Sequence, residues 1–90
     1  MSVSTDHSFS AALDALRQGQ KDGSHIQISR SGWNGRGMGV FLQVPDNLSK
    51  MSLPYIYLHT VDGHLVPWVA SQTDLLSDDW EIYGFDQVPA

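Results

Sequence analysis

The 90-residue sequence contains no cysteine. Disulfides, thiolate catalysis and cysteine-type zinc centres are therefore excluded. Positive charge is scarce: five Lys and Arg stand against ten Asp and Glu, for a net charge of −5. Such a chain has no broad basic surface for duplex DNA, so any anionic ligand must be small and met by local groups. No apolar run approaches the roughly 18 residues that mark a membrane-spanning helix. The polar N-terminus has no signal-peptide pattern, so the chain reads as cytosolic, without a membrane partner. Asn47-Leu48-Ser49 has the form of a glycosylation acceptor, which carries no meaning without a secretory route.

What is present fits one small domain, residues 1–90, with an ordered core over about 8–84. A chain of this size buries only about two-thirds of its unfolded surface and is marginal as a monomer. Oligomerisation is a common remedy. Three Trp, three Tyr and three Phe supply large anchors for a core or an interface.

Phe9, Ala12, Leu13 and Leu16 repeat at i, i+3, i+4 and i+7, which predicts a helix over about 8–18. Asp6 or Ser8 is the candidate N-cap, and Gly19 stands where a terminating glycine belongs. The preceding residues 1–7 read as loose. Ile26 and Ile28 alternate with polar residues and predict a strand over 25–30. Residues 38–44 alternate again and pair with it as a hairpin. Tyr55–Thr60 and Leu65–Val69 flank the hairpin-turn signal Asp62-Gly63. Pro67 cannot donate to a ladder, so the second of these strands lies at an edge or is bulged. Ser71-Gln72-Thr73-Asp74 has capping-box form and opens a short helix. Trp80–Tyr83 is a fifth, short strand. The predicted class is α+β: an N-terminal helix packed on an antiparallel sheet of about five strands, with a short helical insert.

Four of the eight glycines fall within Ser31-Gly32-Trp33-Asn34-Gly35-Arg36-Gly37-Met38-Gly39. Glycine permits φ > 0 and close backbone approach, and runs of backbone N–H groups form anion-binding concavities. Trp33 offers a flat face, Asn34 an amide edge and Arg36 a fork of donors. These groups suit a nucleotide-like ligand. The competing reading is a glycine-rich loop whose tryptophan caps the core. The spacing is not that of a dinucleotide fingerprint, and no long helix follows.

Catalytic patterns are weak. His7, His25, His59 and His64 show no metal-ligand spacing; His59 and His64 flank a turn and read as exposed, and no metal site is expected. Asp78 and Asp79 are adjacent, so they point apart and suit helix-end and solvent roles. Ser71 reads as a cap, not a nucleophile, and nothing shows a nucleophile, base and orienter converging. No enzyme activity and no cofactor are expected.

Gly32-Trp33-Asn34-Gly35-Arg36-Gly37-Met38 and Val66-Pro67-Trp68-Val69-Ala70-Ser71-Gln72-Thr73-Asp74, followed by Asp79-Trp80, resemble the second Thoeris anti-defence family of phage proteins. Phe9-Ser10-Ala11-Ala12-Leu13 with Gly19, and Leu53-Pro54-Tyr55-Ile56 with Asp62-Gly63, fit the same pattern, so the resemblance spans residues 8–83. It implies a sponge: a homotetramer in the host cytosol that holds cyclic ADP-ribose signals intact, with sites at subunit junctions. Some relatives also bind the cyclic oligonucleotides of the related CBASS defence at a separate site. Carried over by this resemblance, the ligand role falls on Trp33, Asn34, Gly35, Ser71, Gln72, Thr73 and Asp74, with Met38 and Trp68 beside them. Family members often have a basic residue just before the Gly-Trp pair. Here Ser31 intervenes, and either Arg30 or Arg36 is left to meet a phosphate. Stacking on Trp33, amides of the glycine loop and of the helix start after Ser71, and Asp74 toward ribose hydroxyls make a compatible set.

The expected function is thus a non-catalytic sponge for a cyclic nucleotide signal such as glycocyclic ADP-ribose. The alternatives are a homo-oligomeric inhibitor docking exposed Trp33 and Trp68 on a protein, and a nucleotide hydrolase.

Overall fold

The structure, a computed structural model, describes residues 2–33 and 38–85. The order is β1 (Ser2–His7), α1 (Phe9–Asp22), β2 (His25–Arg30), a 3-10 turn (Ser31–Trp33), β3 (Gly39–Gln43), β4 (Tyr55–His59), β5 (Leu65–Pro67), α2 (Gln72–Leu76) and β6 (Trp80–Phe85). The α+β class, the N-terminal helix and the helical insert are as expected. The sheet has six strands in the order β1-β6-β2-β3-β4-β5, and every pairing is antiparallel.

Two expectations are corrected. Residues 2–7 are not loose: Ser2, Val3 and Ser4 pair with Gly84, Tyr83 and Ile82, and a bulge follows before His7 meets Trp80. The helix does not stop at Gly19. Ser8 caps it, its hydroxyl accepting from the Ala11 N–H at 3.2 Å, and the chain stays helical to Asp22. Gly19 is buried against Ile26, where a Cβ would collide with the Ile26 side chain. The stop is Gly23, whose φ of 74° lies in the left-handed region that glycine tolerates best.

Strands β2 to β5 form the expected meander, but β6 returns to the middle and pairs along all of β2, from His25↔Phe85 to Arg30↔Trp80. Pro67 does lie on an edge strand. Alternation fixes the two faces. Ile28, Val40, Leu58 and Ile82 are linked by registered pairs on one face, and α1 lays Ala12, Leu13 and Leu16 on it. Ala12, Leu16, Ile28, Val40 and Trp80 are fully buried. Burial of an indole removes about 150–250 Å² from water, worth about 4–6 kcal/mol at ~25 cal/mol per Å². Trp80 is therefore a principal anchor of the core. No helix among the described residues is long and apolar enough to cross a membrane.

Candidate functional site

One end of the core is built from four aromatic rings supplied by four separate segments. Phe9 comes from the first turn of α1, Trp33 from the 3-10 turn, Trp68 from the stretch after β5 and Trp80 from the start of β6. Trp33 stands edge-on to Trp68 and Trp80, with ring centroids 6.3 and 5.7 Å away. Trp68 and Trp80 lie 6.1 Å apart, and Phe9 closes the group 5.2 Å from Trp80 and 6.3 Å from Trp68. Edge-to-face pairs of this kind contribute about 0.5–1.5 kcal/mol each beyond their burial. Trp33 and Trp68 are both half-buried and packed on the core. The two sequence motifs, 35 positions apart at their tryptophans, thus meet through the rings themselves.

A polar clamp lies beside the rings. Arg30, at the end of β2, reaches Asp79 through Nε at 3.0 Å and Nη2 at 3.4 Å, and Asp74 through Nη1 at 3.2 Å. Ser31 adds its hydroxyl to Asp79 Oδ2 and its N–H to the Asp79 carbonyl, each at 3.1 Å. Asp74 also closes the expected capping box: its N–H donates to the Ser71 hydroxyl, and its Oδ2 accepts the Ser71 N–H. Its carbonyl accepts the Trp80 indole N–H at 2.9 Å. The clamp therefore joins β2, α2 and β6 and ties them to the aromatic group.

The electrostatics follow from these partners. The Asp79 hydrogen bond raises the Arg30 pKa above its ordinary value, against an opposing effect of burial. Partial burial works to raise the Asp74 pKa, but the Ser71 donors and Arg30 outweigh it and hold the carboxyl below the usual range. Arg30 does the same for Asp79, with help from Ser31. One cation thus meets two carboxylates, and the clamp carries a formal charge of −1. Asp79, expected with Asp78 in a helix-end and solvent role, instead accepts from Arg30 and Ser31. Arg30 directs three hydrogen bonds to carboxylates.

The remaining site candidates are placed as follows. Ser71 is the cap, and Gln72 and Thr73 are exposed on α2. The Thr73 carbonyl accepts the Ser77 hydroxyl at 2.6 Å. Met38 is half-buried, and its carbonyl accepts the Gln27 amide at 3.3 Å. Asn34, Gly35 and Arg36 lie outside the described residues. Each Asp74 oxygen already has one donor, so the cap and the clamp precede any ribose contact. Sequence reasoning did not foresee Phe9 in this group or the pairing of Arg30 with Asp79. The latter joins residues 49 apart in the chain and leaves no local signature.

Chemically, the arrangement can hold a flat ring and present hydrogen-bonding edges. No cluster of three or more His, Asp or Glu positioned for a metal ion occurs among the described residues. His64 faces Asp62 at 3.7 Å, both strongly exposed at the β4–β5 turn. The Ser4 hydroxyl touches the His7 ring on exposed β1, but no carboxylate meets the other ring nitrogen among the described residues.

Fold and site together define a small α+β protein whose two motif segments converge on a tryptophan cluster. Residues 7–83 match the Thoeris anti-defense 2-like domain. The chain is 37% identical over 93 residues to a Bacillus phage SP01 protein named "Thoeris anti-defense 2", covering 89% of this chain and 98% of that one. The chain belongs to the Thoeris anti-defense 2-like family, and an anti-defence role follows from that membership.

Proposed function

We propose that the protein is a non-catalytic sponge that binds a cyclic nucleotide immune signal, of the glycocyclic ADP-ribose type, and withholds it from its effector in the host cytosol. The observation that carries this reading is the convergence of Trp33 and Trp68 on one ring cluster beside the capped start of α2. A purine ring stacks on such indoles for about 1–3 kcal/mol. The contact set extends the Trp33 side through Asn34, Gly35, Arg36 and Met38, and the Trp68 side through Ser71, Gln72, Thr73 and Asp74. With Arg30 neutralised, affinity rests on stacking and neutral donors rather than on long-range attraction. Assembly as a homotetramer is part of this reading, as is acceptance of CBASS cyclic oligonucleotides.

The test is incubation with cyclic ADP-ribose isomers, heating, and chromatography of the released ligand. Intact recovery supports the sponge. Recovery of a hydrolysed product makes the protein an enzyme. Absence of binding leaves the protein-docking alternative.

A further inference from the structure

Helix α1 packs on β2, β3 and β6 and seats Ala12 and Leu16 in the core. Beside that contact, on the flank of the helix, a groove stays open. Leu13, Arg17 and Lys21 follow one another at four-residue steps and so form a stripe along α1. Opposite them stand Leu42 of β3, Val44 just past its end and Ile56 of β4. The hollow between these two walls holds about 460 Å³, a volume typical of small-molecule sites.

The walls are aliphatic and the rim is cationic. Arg17 and Lys21 are exposed, and neither is held in an ion pair among the described residues, whereas Arg30 faces two carboxylates. No Asp or Glu lines the hollow among the described residues. A chain of charge −5 thus places two cations beside an apolar groove. The other polar side chains on the lining are those of Gln20 and Tyr55. A body with many hydrogen-bonding edges, such as a nucleobase, would leave most of them unpaired there, at a cost. An aliphatic chain needs no such partners, and its burial is favourable in proportion to its area.

The geometry points to a binding site for an aliphatic carboxylate of the fatty-acid class, with its chain between α1 and the β3–β4 wall and its head group on Arg17 and Lys21. The carboxylate accepts from the Arg17 fork and from the Lys21 ammonium, which stand about one helical turn apart. The groove is separate from the aromatic end of the core. Lys21 lies twelve residues along α1 from Phe9, about 18 Å at ~1.5 Å per residue. The site therefore stands independently of signal binding at Trp33 and Trp68.

Titration of the full chain with octanoate, well below its micelle concentration and read by amide NMR shifts, tests the site. Octanoate should bind saturably with a Kd below about 1 mM. The shifts should centre on residues 13–21, 42–44 and 54–56. Arg17→Glu and Lys21→Glu, both at exposed positions that the fold does not need, should each weaken binding about fivefold or more. Lys50→Glu makes the same charge change outside the groove lining and should leave binding unchanged. Octanol keeps the chain without the charge, and adenosine monophosphate keeps an anion without the chain; each should bind at least about fivefold more weakly than octanoate. The proposal is overturned by absence of saturable octanoate binding, or by shifts centred elsewhere. Octanol or adenosine monophosphate binding as tightly as octanoate overturns it too, as does a loss in Lys50→Glu equal to that in Lys21→Glu.

Discussion

Replacing Arg30 by Met removes the guanidinium and keeps the aliphatic stem. It deletes three hydrogen bonds to carboxylates and leaves Asp74 and Asp79 facing each other without a cation. Charge-assisted hydrogen bonds contribute about 1.5–3 kcal/mol each when shielded from water. These are only partly shielded: the side chains of Arg30, Asp74 and Asp79 are 21%, 15% and 36% exposed. Exposed ion pairs contribute about 0–1 kcal/mol, whereas breaking a buried one costs about 3–5. A total of about 2 kcal/mol is therefore expected. In a domain this small, that lowers the melting temperature by about 8–16 °C. Arg30→Lys keeps the charge but loses the fork, and should fall between. The pH dependence has a definite sign. Both aspartates have depressed pKa values in the folded state, so their stabilisation is present above the unfolded carboxylate value of about 3.9 and fades as pH falls through the lower folded values. Wild type and Arg30→Met should differ at pH 7 and converge in acid, as pH falls below the unfolded carboxylate value of about 3.9 and through the lower folded ones. Melting curves at both pH values decide it. An Arg30→Met protein that melts with the wild type at pH 7, or a gap that persists in acid, refutes the clamp.

Other substitutions test the remaining contacts. Trp80→Ala, at a fully buried position, should cost about 3–5 kcal/mol and largely unfold the domain by calorimetry. Trp33→Ala, at a half-buried position, should cost less stability and lower signal affinity by about 1–3 kcal/mol in isothermal titration; equal melting losses in the two variants would confine Trp33 to the core. Ser71→Ala should lose the α2 cap, at about 1 kcal/mol in denaturant midpoint. Gly19→Ala should destabilise by about 1–3 kcal/mol despite its better helix propensity, because the new methyl meets Ile26; a stabilised variant would show that the α1–β2 packing is looser than described.

Local patterns were legible where one rule governed them. The alternation around Ile26 and Ile28 located β2 to the residue, the Ser71–Asp74 spacing predicted the capping box, and Pro67 predicted an edge. Strand β1 was missed because an edge strand need not alternate: its apolar residue Val3 is 48% exposed. Gly19 was misread because a glycine that ends a helix and one that admits a neighbouring side chain look alike in sequence. At the site, the tryptophans and the cap were visible as residues. Their convergence was not, because it depends on β6 crossing back to pair with β2, a long-range event that no window of sequence contains.

The place of β6 bears on how the protein is made. Its strand is supplied by residues 80–85, yet it lies between β1 and β2, which precede it by 50 residues or more in the order of synthesis. Until it emerges, β1 has no partner and β2 has a free edge, so the sheet cannot close during synthesis of the earlier residues. Contacts of this sequence separation give a high contact order and fold in about milliseconds to seconds, not microseconds. The aromatic cluster, whose central ring is Trp80, forms last for the same reason. The aromatic cluster therefore closes only after the β6 segment has been synthesised.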